Sequence, residues 1–194
     1  MTIELEQVGK RYGDRQVLRE LTLDVSTDTC YAVTGEAGSG KTTLLRLLMG
    51  LEKPDTGRIR LLGDYKYTWL ACGAVFERDA LIEELSAVRN VSVIRKLTSD
   101  KAAREELVKL LPAERTEIPV CELGRAERRA VCIVRALSVP ADLIVMDEPF
   151  AGMSDDERAS AVRYIMDRKG STPLVIAMRE RCEEIRSFKN IALS

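Results

Sequence analysis

Polar and apolar residues alternate along Thr2-Ile3-Glu4-Leu5-Glu6-Gln7-Val8 and again along Leu21-Thr22-Leu23-Asp24-Val25. A period of two is that of a strand with one face on a core and one in water, so both segments predict half-exposed antiparallel strands forming a small β-layer. Between them, Lys10-Arg11-Tyr12-Gly13-Asp14 places Gly and Asp where the chain has to reverse. The pattern then changes. Tyr31-Ala32-Val33-Thr34, Gly73-Ala74-Val75-Phe76, the run ending Leu143-Ile144-Val145-Met146-Asp147, and Leu174-Val175-Ile176-Ala177-Met178 are short and continuously apolar, as strands buried on both faces are. Thr43 to Met49 is a strong helix former, and Arg58 to Gly63 returns as a strand after the Pro- and Gly-punctuated loop Gly50–Gly57.

From about Arg78 to Leu137 charged and apolar residues mix at helical spacing, which predicts an inserted helical subdomain. Ser154 with Asp155-Asp156-Glu157 predicts the capped start of a helix running to Lys169, with Gly170 as its stop. A charged helix from Arg179 to Phe188 and a final short strand complete the pattern. Alternating strands and helices predict an α/β domain with a mostly parallel core sheet, a single unit over residues 1–194 with the subdomain at about 78–137 inserted within it.

Gly35-Glu36-Ala37-Gly38-Ser39-Gly40-Lys41-Thr42-Thr43 fits G-x-x-x-x-G-K-[ST] at every fixed position, between a predicted strand and a predicted helix. It reads as a P-loop NTPase motif: glycines bring backbone N–H groups close to phosphate oxygens, Lys41 neutralises the β- and γ-phosphates, and the Thr42 hydroxyl is placed to ligate Mg2+. The other chemical constellation is Asp147-Glu148-Pro149, where a buried strand delivers two carboxylates to its C-terminal end, the edge at which open α/β sheets bind ligands. Asp147 reads as a holder of Mg2+, directly or through water, and Glu148 as the group that polarises an attacking water. Tyr12 reads either as a flat ring for an adenine or as an ordinary surface aromatic.

Composition narrows the partners. Thirty basic residues against thirty-one acidic ones leave a formal charge of −1, which argues against nucleic acid. The five cysteines form no C-x-x-C pair and the chain has no histidine, so they read as reduced thiols of a cytosolic protein. No stretch resembles a secretory signal or approaches the ~20 apolar residues that span a bilayer; any membrane span would come from other chains.

With these residues in place the chain resembles the nucleotide-binding subunit of an ABC transporter over nearly its whole length. Lys10-Arg11-Tyr12-Gly13 with Val17-Leu18 resembles the family's opening, in which the aromatic stacks on adenine; Val75 to Leu81 resembles its Q-loop region; and Asp147-Glu148-Pro149-Phe150-Ala151-Gly152-Met153 resembles the second Walker motif running into the D-loop. The phrase D-E-P-F-x-G is similar to that of nitrate, sulfonate and taurine importer ATPases. The resemblance implies ATP and Mg2+ as cofactors, transmembrane permease subunits and a second ATP-binding subunit as partners, and a cytoplasmic position, peripheral on the inner face of the membrane.

Departures from the family are as specific. Glu77 stands where the family has glutamine, Leu123-Gly124-Arg125-Ala126-Glu127 is in register with the signature L-S-G-G-Q, Arg179 takes the place of the switch histidine, and Ser154 replaces the D-loop aspartate. Arg125, Arg128 and Arg129 read as a solvated helix face, with Arg125 alternatively a cation for phosphate. Two functions compete: an ATPase energising a small-solute importer, and a degenerate subunit that binds ATP with slow or no turnover in a mixed assembly. A soluble small-molecule kinase is disfavoured by the D-E-P arrangement and the lack of an obvious substrate lid.

Overall fold

The computed structural model describes residues 2–63, 70–94 and 99–193. Its contacts divide the chain into two compact units, one of residues 1–72, 141–147 and 171–194, the other of residues 73–140 and 148–170.

The first unit opens on β1 (Thr2–Tyr12) and β2 (Arg15–Ser26), paired antiparallel as their alternation predicts, with Thr2 opposite Ser26 and Leu5 opposite Leu23. Ile3, Leu5 and Val25 are fully buried, while Glu4 and Glu6 stay on the wetter face. The register shifts after Leu5, and Gln7 (φ 49) and Glu20 (φ 44) take left-handed backbone there, the mark of a bulge that bends the ribbon. β4 (Thr56–Leu62) lies antiparallel on the other side of β1, giving the order β2-β1-β4. Arg58 grips Glu6 through two hydrogen bonds at 2.6 and 3.0 Å, and Arg60 reaches the same carboxylate at 2.9 Å.

The core sheet of this unit is parallel. β3 (Cys30–Thr34) lies between β7 (Leu174–Met178) and β8 (Lys189–Ala192), and β7 in turn pairs with β6 (Leu143–Asp147). The strand order within this unit is β6-β7-β3-β8, and β5 (Cys72–Val75) starts at the unit's residue Cys72. Every residue of β6 and β7 is buried, which is why their sequences show no alternation. α1 (Lys41–Leu48) packs Leu44, Leu45, Leu47 and Leu48 against β6 and β7.

A helix from Arg179 to Phe188 does not form. That segment holds only a 3-10 turn at Glu183–Ile185, entered through extended Cys182 (ψ 163). The Arg181 guanidinium donates to the carbonyls of Ile185 (3.3 Å), Arg186 and Phe188 (2.5 Å), so a side chain takes the acceptors at which the chain turns into β8. Charged residues at helical spacing concealed this, because periodicity does not register a side chain that caps the chain from within.

The second unit is built from α2 (Ala87–Ser92), α3 (Asp100–Leu107), α4 (Arg125–Leu137) and α5 (Asp155–Lys169). Helices occupy less of residues 78–137 than the spacing predicts. Pro112 and Pro119 stand at the starts of 3-10 turns, and the stretch before α2 is held by fully buried Asn90, whose amide donates to the carbonyls of Ile82, Leu85 and Ser86 at 3.0 to 3.1 Å. α5 begins as read from the sequence: Ser154 and Glu157 cap each other, and Gly170 (φ 54) ends the helix. Among the described residues no helix is long and apolar enough to cross a membrane.

Candidate nucleotide site

The chain leaves β3 at Thr34 and turns through Gly35–Gly40 into α1. A Cβ at Gly35 would lie 2.3 Å from the Leu193 carbonyl oxygen and 2.5 Å from Ser39 Oγ, so only glycine fits. Gly40, the helix N-cap, sits at φ 101, and a side chain there would also press on Val17 and Leu18 of β2 at 2.9 Å. The result is a loop wrapped closely around its own backbone, with Ser39 N donating to Glu36 O at 3.1 Å.

Lys41, only 7% exposed, folds back over this loop. Its Nζ donates to the carbonyls of Gly35 at 2.5 Å and Glu36 at 2.9 Å. Both acceptors are neutral, so the full charge of the ammonium remains for an anion, and the N-terminus of α1 directs its free N–H groups and positive dipole end to the same place. Ser39 Oγ is buried without a hydrogen-bond partner among the described residues. A buried hydroxyl, an ammonium on loop carbonyls and a cradle that a Cβ would fill together suit phosphate oxygens.

Thr42 Oγ1 donates to Asp147 Oδ2 at 2.6 Å, joining the first turn of α1 to the last residue of β6, where Asp147 is 4% exposed. No group of three His, Cys, Asp or Glu residues able to hold a metal occurs among the described residues. A hydroxyl and a single carboxylate fit Mg2+ instead, which takes one or two protein oxygens and fills its octahedron with phosphate oxygens and water.

Tyr12 ends β1 with 44% of its surface exposed. Its hydroxyl bonds to the Glu52 carboxylate, and Lys10 Nζ lies 5.7 Å from the ring centroid. Ala37, Gly38 and Thr43 complete the loop and its helix. Sequence reasoning missed Arg15, whose guanidinium donates to Gly38 O at 2.8 Å. No motif marks it, since the contact comes from the β1–β2 hairpin turning back on the loop.

Glu148 belongs to the second unit. It has φ 47, a left-handed conformation rare outside glycine and rarer still before a proline. Its carbonyl accepts from Arg129 Nη2 at 2.9 Å and from Ala151 N at 3.3 Å. Arg129 is 2% exposed, which overturns the solvated-face reading for this residue; Arg128 likewise is held in ion pairs with Asp79 (3.1 Å) and Glu83 (2.5 Å). Arg125 alone of the three is exposed. Its aliphatic stem lies against Gly152 (φ 85), where an added Cβ would meet it at 3.2 Å. At the start of α4, Glu127 Oε2 accepts from Gly124 N at 2.7 Å while Arg115 pairs with the same carboxylate at 2.6 Å; this hydrogen bond from Arg115 holds the Glu127 carboxyl below its ordinary pKa.

The ABC transporter family model matches residues 18–151. A probable sulfate/thiosulfate import ATP-binding protein CysA of Chlorella vulgaris is 36% identical, the match covering all of this chain and 87% of that protein. A sulfate/thiosulfate import ATP-binding protein CysA of Synechococcus elongatus is 36% identical over 78% of this chain, which spans only 47% of its length. The dimeric structure of an ATP-binding cassette bound to ADP and Pi superposes with a TM-score of 0.83 over 99% of this chain and 94% of that one, at 22% identity, a likeness of fold alone. By the family match and the Chlorella relative, the chain belongs to the ABC transporter family, as one of its ATP-binding ATPase domains.

Proposed function

We propose that this chain binds Mg-ATP on Gly35–Thr43 and hydrolyses it to drive a small-solute importer, as a single cassette with a helical subdomain inserted at about residues 78–137. The observation that supports this most directly is the Thr42–Asp147 hydrogen bond next to Lys41, which brings a hydroxyl and a carboxylate to the helix start from which an ammonium folds over the Gly35–Gly40 loop. In this reading the loop amides and Lys41 hold the β- and γ-phosphates, Thr42 and Asp147 hold Mg2+, and Tyr12 carries the adenine. Mg2+ supplies charge neutralisation on the transferring phosphoryl group. Glu148 orients the attacking water and accepts its proton. Permease subunits supply the membrane span, a second ATP-binding subunit completes the dimer, and the chain sits on the inner face of the membrane.

For the solute we propose a small oxyanion. Two observations support that class: D-E-P-F-x-G resembles nitrate, sulfonate and taurine importers, and the relatives are named for sulfate and thiosulfate import. The experiment is ATP turnover of the complex with its membrane partner, with and without sulfate, thiosulfate, nitrate or taurine. Turnover stimulated by one oxyanion and abolished by Lys41→Ala and Glu148→Gln is the expected result.

The degenerate-subunit reading also has specific support. Arg179 at the histidine position is exposed, and its carbonyl accepts from Gly35 N at 3.4 Å, so it is tied to the loop by its backbone rather than by a proton-relaying side chain. Tight ATP binding without turnover in that same assay would select this second reading.

A further inference from the structure

We propose that Arg129 is the positioning residue for Glu148, an inference that rests on Glu148 being the group that orients water. The guanidinium is buried in the second unit, where Nη1 donates to the Phe76 carbonyl at 2.7 Å and to Asp79 Oδ1 at 3.0 Å, and Nη2 to the Glu148 carbonyl at 2.9 Å. It therefore ties the backbone just before Glu77 to the backbone of Glu148. Glu148 is the residue that needs holding, since a non-glycine side chain at φ 47 persists only where its surroundings over-determine it.

The planar fork suits the task. Donation from two nitrogens of one rigid plane to two carbonyls fixes an orientation that a single ammonium cannot. Asp79 is the counter-charge that makes a buried guanidinium tolerable, and it also binds Arg128 at 3.1 Å. The two arginines thus share an acid, yet Arg129 reaches Glu148 whereas, among the described residues, the other partners of Arg128 are Glu83 and the Val120 carbonyl. Because a carboxylate displaced by about 1 Å loses on the order of 100-fold in rate, the placement of this one carbonyl sets the rate of the chemical step. The sequence hides the arrangement, because three nearby arginines at the start of a helix look like a charged surface.

The test measures single-turnover hydrolysis, ATP affinity and hydrogen exchange in the full complex carrying Arg129→Met, Arg129→Lys or Arg128→Gln. Arg129→Met is expected to lower the rate constant on the order of 10- to 100-fold with ATP affinity held within about twofold, and to add no loss in a Glu148→Gln background. Arg129→Lys recovers part of the rate, and Arg128→Gln keeps it. The segment around Ala151, whose N–H also donates to the Glu148 carbonyl, exchanges faster in Arg129→Met and not in Arg128→Gln. Equal loss in the two arginine variants, or loss in ATP affinity alone, assigns Arg129 a packing role and overturns the proposal. Should the wild-type complex bind ATP without hydrolysing it, the ATPase reading fails by itself, and unchanged exchange around Ala151 then overturns the positioning role separately.

Discussion

Thr42 Oγ1 and Asp147 Oδ2 lie 2.6 Å apart although 105 positions separate them in the chain. With Asp147 ionised, the hydroxyl proton points at the carboxylate and the hydroxyl's lone pairs face outward, which is the orientation a cation requires. Asp147→Asn keeps the shape and an acceptor for Thr42 but removes the charge. It should weaken Mg-ATP binding by about 1.5–3 kcal/mol, the scale of a charged contact, and leave ATP binding in EDTA nearly unchanged. Calorimetric titration with and without Mg2+ checks this, and an equal loss in both buffers would mean that Asp147 only holds α1 in place.

Both residues of that pair were legible in the sequence, and the reason is local: Thr42 closes a glycine-loop motif that follows one short apolar strand, and Asp147 ends another at a D-E-P turn. β6 and β7 were legible for the same reason. What stayed hidden depends on side chains that reach across sequence distance. Arg15 touches Gly38, Arg129 touches Phe76 and Glu148, and Arg181 gathers the carbonyls of Ile185, Arg186 and Phe188 where the chain turns into β8. Arginine reads as surface in any periodicity argument, because a long apolar stem and a charged head are averaged into one polar letter.

Tyr12 offers a separable test. Its hydroxyl goes to Glu52 and its ring lies half in solvent with Lys10 beside it. If the ring stacks on adenine, Tyr12→Phe keeps nucleotide affinity while Tyr12→Ala loses about 1 kcal/mol, roughly fivefold in Kd. Fluorescent-nucleotide titration distinguishes the two. Equal losses would transfer the role from the ring to the bond with Glu52.

Asp79 sets a pH dependence. Burial raises its pKa, but hydrogen bonds from Arg129 and Arg128, with their charges, outweigh burial and hold it below the ordinary aspartate value. A carboxyl with a depressed folded-state pKa stabilises the fold above its unfolded value and loses that contribution as pH falls through the folded one. The melting temperature should therefore decline below about pH 4. The decline should be shallower in Asp79→Asn, which has less to lose there and is less stable at neutral pH. Thermal melts across that range decide it; a parallel pH profile in the variant would place the acid sensitivity on other carboxylates.

The altered signature is the remaining test of which functional reading holds. The family resemblance implies that donors at this helix N-terminus clamp the γ-phosphate held by a partner subunit, whereas here Gly124-Arg125-Ala126 lacks the serine hydroxyl and sets two side chains at the helix start. The local geometry tolerates restoration. Gly124 has an ordinary φ of −67 and an added Cβ would meet only Glu127 Oε2 at 3.5 Å, so serine fits and is a better N-cap. Arg125→Gly removes the stem that lies on Gly152, and Ala126→Gly costs up to about 1 kcal/mol of helix propensity, so the triple variant should melt slightly lower. In a Glu148→Gln background, which blocks hydrolysis in the proposed mechanism, it should nevertheless show a larger dimer fraction with Mg-ATP by light scattering, because the clamp gains donors while Lys41, Thr42 and Asp147 are untouched. No gain in dimer would mean that closure is not limited by the signature. Robust ATP turnover by the unaltered chain alone would remove the degenerate-subunit reading, since a homodimer presents two such signatures and no intact one.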